Sequence, residues 1–66
     1  MEEYQSRVVE EYHDLGNKID RLGEFIEGDL FQLLDYQNRT LLLDQSDAMI
    51  KYLDILNKRI ELFKKD

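Results

Sequence analysis

The sequence predicts an all-α fold: an antiparallel helical hairpin with a short connecting helical turn, assembling into a homo-oligomeric helical bundle. Three observations carry this reading. The 66 residues include no Pro and no strand-like alternation of apolar and polar residues. Two long stretches repeat apolar residues at spacings of three and four. Gly28 stands between them, where a helix commonly stops. The chain reads as one domain over residues 1–66, with helices over about 2–27 and 37–63 and a turn over about 30–36.

In the first helix Met1, Gln5, Val8, Tyr12, Leu15, Ile19, Leu22 and Ile26 form a narrow seam, with acids elsewhere. Gly16 and Gly23 lie inside it, each weakening the helix by about 1 kcal/mol against Ala. They are either plain weakness or places where another backbone comes close. Asp29 is positioned to cap the turn, whose Leu30, Phe31, Leu33 and Leu34 plug the end of the hairpin. Asn38 or Thr40 is positioned to cap the second long helix. Along that helix Asp47–Lys51, Asp54–Lys58 and Glu61–Lys65 are acid-to-base pairs at i, i+4, which mark a face turned to water.

The apolar positions of the second helix, Leu41 to Phe63, span nearly half its circumference. One narrow seam cannot cover one broad face, so a second copy of the chain is expected to cover the rest. The residues assigned to that oligomer interface are Leu42, Met49, Leu56 and Phe63, with Leu41, Ala48 and Ile55 beside them. Size gives the same answer. A chain this short buries only about 60% of its unfolded surface. Its core supplies roughly 3–5 kcal/mol, and small folds usually add a staple. With no Cys and one His, neither a disulfide nor a structural zinc site is expected, which leaves oligomerisation.

The chain carries a formal charge of −6. Residues 1–29 hold nine acids against three bases, and residues 30–66 hold six of each. An acidic chain does not suit polymeric nucleic acid, whose binding rests on phosphate neutralisation. The longest apolar run is Leu41-Leu42-Leu43, so no membrane span is expected. No Gly-rich phosphate loop and no nucleophile–base pairing appears. His13 reads as a surface residue, and pairs such as Glu10 and Glu11 read as a solvated face. The expectation is a chain that is not an enzyme and takes no metal and no cofactor.

Gln45, Tyr52 and Arg59 run seven residues apart down the middle of the broad face. An amide, a phenol and a guanidinium are costly in an apolar stripe unless each finds a partner. Either they order a helical core or they point at something outside the chain. An antiparallel hairpin brings Gln5, Arg7 and Tyr12 toward Tyr52, Leu56 and Arg59 at its open end. Arg grips phosphate in a bidentate fork and an aromatic ring stacks on a base, so a nucleotide-sized anion has one place to bind. The bland alternative pairs Arg7 and Arg59 with Glu10, Glu11 or a neighbour's acids.

The run Leu41-Leu42, Gln45, Ala48-Met49, Tyr52, Ile55-Leu56, Arg59-Ile60 resembles a widespread group of short tailed-phage proteins, first noted in crAss-like phages and mostly hypothetical. Gln5, Arg7-Val8, Lys18-Ile19, Leu22, Phe25-Ile26, Phe31 and Leu34 extend the resemblance from Tyr4 to Ile60. It implies a phage product acting in the cytoplasm of an infected bacterium. A looser, fold-level analogy is to phage nucleotide sponges of the anti-CBASS, anti-Thoeris and Sequestin type, small helical oligomers that trap cyclic nucleotide immune signals without cleaving them.

Two functional classes follow. The first is a sponge that holds a cyclic nucleotide between subunits, with Arg59, Tyr52, Arg7, Tyr12, Gln45 and Gln5 as its ligand-binding residues. The second is an acidic protein-binding module that covers a basic surface of a host or phage protein.

Overall fold

A computed structural model describes residues 2–63. The described residues form three helices: α1 (Glu3–Glu27), α2 (Asp29–Gln32) and α3 (Tyr36–Phe63). No strand occurs among them, as the all-α reading expects. The Cα trace extends 49 × 14 × 14 Å. A helix as long as α3 rises about 42 Å, so the length of the molecule is essentially that of one helix, with α1 lying against it. At the far ends, the Tyr4 and Phe63 rings meet edge-to-face at 5.8 Å. Near the connector, Phe25 and Phe31 do the same at 6.4 Å.

Helix boundaries follow local chemistry. Before α1, the backbone N–H of Glu2 donates to Gln5 Oε1 at 2.9 Å, which satisfies a donor the helix itself cannot. At its other end the Gly28 N–H donates to Phe25 O at 3.1 Å and the chain turns extended, with φ −87° and ψ 171°. Gly28 therefore closes α1 without entering the left-handed region.

The cap of α3 differs from expectation. Asp35 Oδ1 accepts the Asn38 N–H at 2.9 Å, so Asp35 starts the helix and neither Asn38 nor Thr40 does. α3 begins at Tyr36, one residue before the expected start near 37, and Asn38 and Thr40 fall inside its first turns. Asp35→Ala is expected to cost about 1 kcal/mol, the usual value of a lost N-cap, read as a lower thermal midpoint.

The core is small. Val8, Leu15 and Leu56 form its buried cluster, with Tyr12, Ile19, Met49, Leu53, Ile60 and Phe63 packed around it. Of the four residues expected to plug the connector end, only Phe31 is buried; Leu34 is half-buried, and Leu30 and Leu33 stay 64% and 80% exposed because the single turn of α2 can turn only one side inward. Asp29 is the first residue of α2 and Gly28 its N-cap, so Asp29 does not cap the turn as expected. A Cβ placed on Gly16 or Gly23 meets nothing within 4 Å, so neither glycine serves a close approach inside the chain. Gly16→Ala and Gly23→Ala should each add up to about 1 kcal/mol, raising the midpoint of a domain this size by roughly 4–8 °C. A fall in stability or assembly size would instead show that another copy's backbone packs at these positions.

Of the three predicted ion pairs on α3, Lys58 Nζ meets Asp54 Oδ2 at 3.0 Å. No such contact joins Asp47 to Lys51 among the described residues. Glu61–Lys65 reaches outside them.

Candidate functional site

The broad face of α3 divides into two rows. Leu56 lies in the buried cluster, Met49 and Phe63 pack against it, and Leu42 is half-buried. These four residues are therefore occupied within the chain. Leu41, Ala48, Ile55 and Leu62 all stay exposed, Ile55 to 54%.

Gln45, Tyr52 and Arg59 belong with the exposed row. Tyr52 is 43% exposed, and Gln45 and Arg59 are exposed too. Within the chain they make no buried polar network. Gln45 Nε2 reaches only Met49 Sδ, at 3.8 Å. Arg59 has no acid three or four residues away along the helix. From Leu41 to Leu62 the exposed residues repeat at spacings of four and three, the pattern of a coiled-coil seam turned outward.

The predicted open-end cluster is distributed over four places. Arg7 and Tyr52 do come together, lining one cleft of about 290 Å³ with Glu10, Glu11, Asp14, Leu15 and Lys18. Tyr12 lines a separate cleft with Ile50, Leu53, Asp54 and Asn57, its ring 5.5 Å from that of His13. Gln5 is taken up by the α1 cap. Arg59 and Gln45 line neither cleft. The cause is helical geometry. At 3.6 residues per turn, Glu11 and Lys18 fall on one flank of the α1 core line and Tyr12 on the other.

The Arg7 cleft holds two cations, three carboxylates and a phenol. Arg7 Nη2 pairs with Glu3 Oε1 at 2.6 Å, both side chains largely exposed. That pair matches the bland reading in kind, though the acid is Glu3 and neither Glu10 nor Glu11. An exposed pair of this sort contributes only about 0–1 kcal/mol, so a phosphate can displace it.

Two basic residues of interest are not among the ligand-binding residues expected from the sequence. Lys18 joins Arg7 beside Tyr52. Its signal was available, since Lys18 follows Leu15 by three residues and therefore shares its side of α1. Arg39 is half-buried beside Phe31, Tyr36, Thr40 and Leu43, and its Nε is buried without a hydrogen-bond partner among the described residues. No group of three or more metal-ligating side chains gathers among the described residues.

The Sequestin family profile matches residues 2–62. The chain is also 43% identical over 61 residues to the "Uncharacterized 7.5 kDa protein in denB-rIIB intergenic region" of Enterobacteria phage T4, covering 92% of this chain and 95% of that protein. No solved structure matches. No helix among the described residues is long and apolar enough to cross a membrane. The phage and Sequestin-type resemblances are borne out by a profile that spans nearly the whole chain and a relative of the same length: the chain belongs to the Sequestin family.

Proposed function

We propose that this chain is a phage-encoded sponge. As a homo-oligomer of helical hairpins in the cytoplasm of the infected host, it binds a cyclic nucleotide immune signal and holds it without cleaving it. Family membership supports the sponge reading. The observation that carries the ligand class is the cleft in which Arg7 and Lys18 flank Tyr52. A phenol ring offers a stacking face for a base, and a guanidinium offers two parallel donors to a phosphate. Arg59 stands about two turns along α3 from Tyr52 on the same exposed row, within reach of a second phosphate.

Exposed apolar surface supports self-association. Leu41, Ile55 and Leu62 are 64%, 54% and 59% exposed along one side of α3, a contiguous stripe of the kind that marks an interface.

The acidic protein-binding module remains the second reading. Glu10, Glu11 and Asp14 line the same cleft and outnumber its cations. Calorimetric titration with cyclic dinucleotides and cyclic ADP-ribose isomers separates the two. Saturable binding with the nucleotide recovered intact supports the sponge. Absence of binding to every member of the panel favours the protein-binding module.

A further inference from the structure

The exposed row of α3 has a counterpart on α1. Tyr4, Glu11, Lys18 and Phe25 repeat every seven residues and are all exposed. Glu11 and Lys18 line the same cleft as Tyr52, so the two rows share one side of the molecule. Each row is complementary to its own reversal. On α3 an acidic and amide end, Asp44–Gln45, stands opposite a cationic end, Lys58–Arg59, with Tyr52 between them. On α1, Glu11 and Lys18 are placed symmetrically about the level of Leu15. Leu15 and Tyr52 line one cleft and so lie at the same height. A single two-fold axis at that height therefore reverses both rows at once.

We propose that two copies of this chain stack through this side, related by a two-fold axis perpendicular to the helices at the level of Leu15 and Tyr52. The proposal rests on the self-association part of the sponge reading and specifies its geometry. Antiparallel stacking sets Lys58–Arg59 of one copy against Asp44–Gln45 of the other, and Glu11 against the second copy's Lys18. A two-fold axis along the helices would instead set α1 of one copy over α3 of the other, and a parallel contact between the two α3 helices would set Arg59 on Arg59, which like-charge repulsion disfavours.

Charge placement points to this side. The chain carries a charge of −6, yet this side balances: Arg7, Lys18, Lys58 and Arg59 stand against Glu10, Glu11, Asp14 and Asp44, so the acidic surplus lies elsewhere. The other flank of α3 also exposes Leu43 and Ile50. There the intervening positions are Asp47, Asp54 and Glu61. Carboxylates would face carboxylates across that seam, whereas Gln45, Tyr52 and Arg59 occupy the corresponding places on the proposed side. Stacking also brings the two Arg7–Tyr52 clefts together across the axis, so each copy closes the other's cleft.

The chain has no Cys, so single cysteines report contacts on a clean background. Ala48→Cys and Ile55→Cys lie on the exposed row, one on each side of the axis. In the antiparallel dimer position 48 of one copy lies beside position 55 of the other. Each single variant alone should form little disulfide on mild oxidation. An equimolar mixture of the two, and the double variant alone, should form covalent dimers in high yield. Sedimentation should show a dimer for the wild type, and Ile55→Asp should weaken association more than tenfold while keeping its helical circular dichroism.

Cross-linking of each single variant to itself would mean parallel stacking and overturn the proposal. Cross-linking confined to Leu43→Cys and Ile50→Cys would place the contact on the other flank and also overturn it. A wild type that sediments as a monomer overturns it as well. Titrating the cross-linked dimer with the cyclic nucleotide panel keeps the two readings apart. A covalent dimer that binds no nucleotide leaves this interface standing and removes the sponge. A monomer that binds nucleotide does the reverse.

Discussion

Leu56→Asp is expected to abolish the fold. Leu56 is 0% exposed and joins Val8 and Leu15 in the one buried cluster between α1 and α3. Truncating a buried leucine to alanine removes about 2–5 kcal/mol. A core of this size supplies only roughly 3–5 kcal/mol in all. Leu56→Ala should therefore already leave the chain near its unfolding midpoint. A carboxylate at that position is set among Val8 and Leu15 and adds a desolvation penalty of about several kcal/mol. Met49→Asp should act the same way with a smaller effect, because Met49 packs against the cluster from a half-buried position. The measurement is far-ultraviolet circular dichroism with thermal melting. Ile55→Asp is the control one residue away: Ile55 is 54% exposed, so its variant should stay helical. Retention of helicity and assembly size by Leu56→Asp would show that the face of α3 turned to α1 has been misassigned.

The contrast between Leu56 and Ile55 marks how far the sequence can be read. Spacing of apolar residues is a property of one helix, and it placed the long helices to within a residue or two at each end. It also gave the breadth of the α3 face. It does not say which half of that face the partner helix takes. Leu42, Met49, Leu56 and Phe63 turn toward α1, and Leu41, Ala48, Ile55 and Leu62 do not. A rotation of α3 by about one residue about its axis would exchange the two rows. What settles the rotation is the fit of Leu56 between Val8 and Leu15, a three-body packing detail that no single-helix pattern contains.

The candidate site was legible to the same depth. The height of each residue along the molecule follows from counting, and Arg7 does share a cleft with Tyr52. The flank on which each residue emerges depends on the rotation of α1, and there Tyr12 parted from the others. Gln5 was lost for a different reason. Its amide oxygen sits three residues past Glu2, the N-cap of α1, whose otherwise unpaired backbone N–H competes for it. Asp35 shows the converse. It is an acid at a helix start, but the polar residues that follow it gave no apolar period to reveal which residue caps the helix.

Tyr52→Ala and Arg7→Ala should each weaken nucleotide binding strongly while leaving the fold intact. Neither side chain is buried, so neither belongs to the core whose loss unfolds the chain. Loss of a stacking ring costs about 1–3 kcal/mol per base, and loss of a charge-assisted contact to phosphate about 1.5–3 kcal/mol. Each variant should therefore bind more than roughly fivefold more weakly, and Arg7→Ala more than tenfold. Arg7→Lys should not restore affinity in full, because an ammonium cannot reproduce the planar fork. The carboxylates of the cleft supply a test of opposite sign. Glu11→Gln removes a charge that repels the phosphate, so it should tighten binding, most visibly at low salt, where screening is weakest. Calorimetric titration of all four variants, with sedimentation in parallel, is the measurement. Arg59→Ala sharpens it. A lower affinity at unchanged assembly size makes Arg59 a second phosphate contact. Dissociation of the oligomer makes it part of the contact between copies. Affinity that survives both Tyr52→Ala and Arg7→Ala would place the nucleotide outside this cleft. Affinity that falls on Glu11→Gln would show that this carboxylate assists binding rather than opposing it.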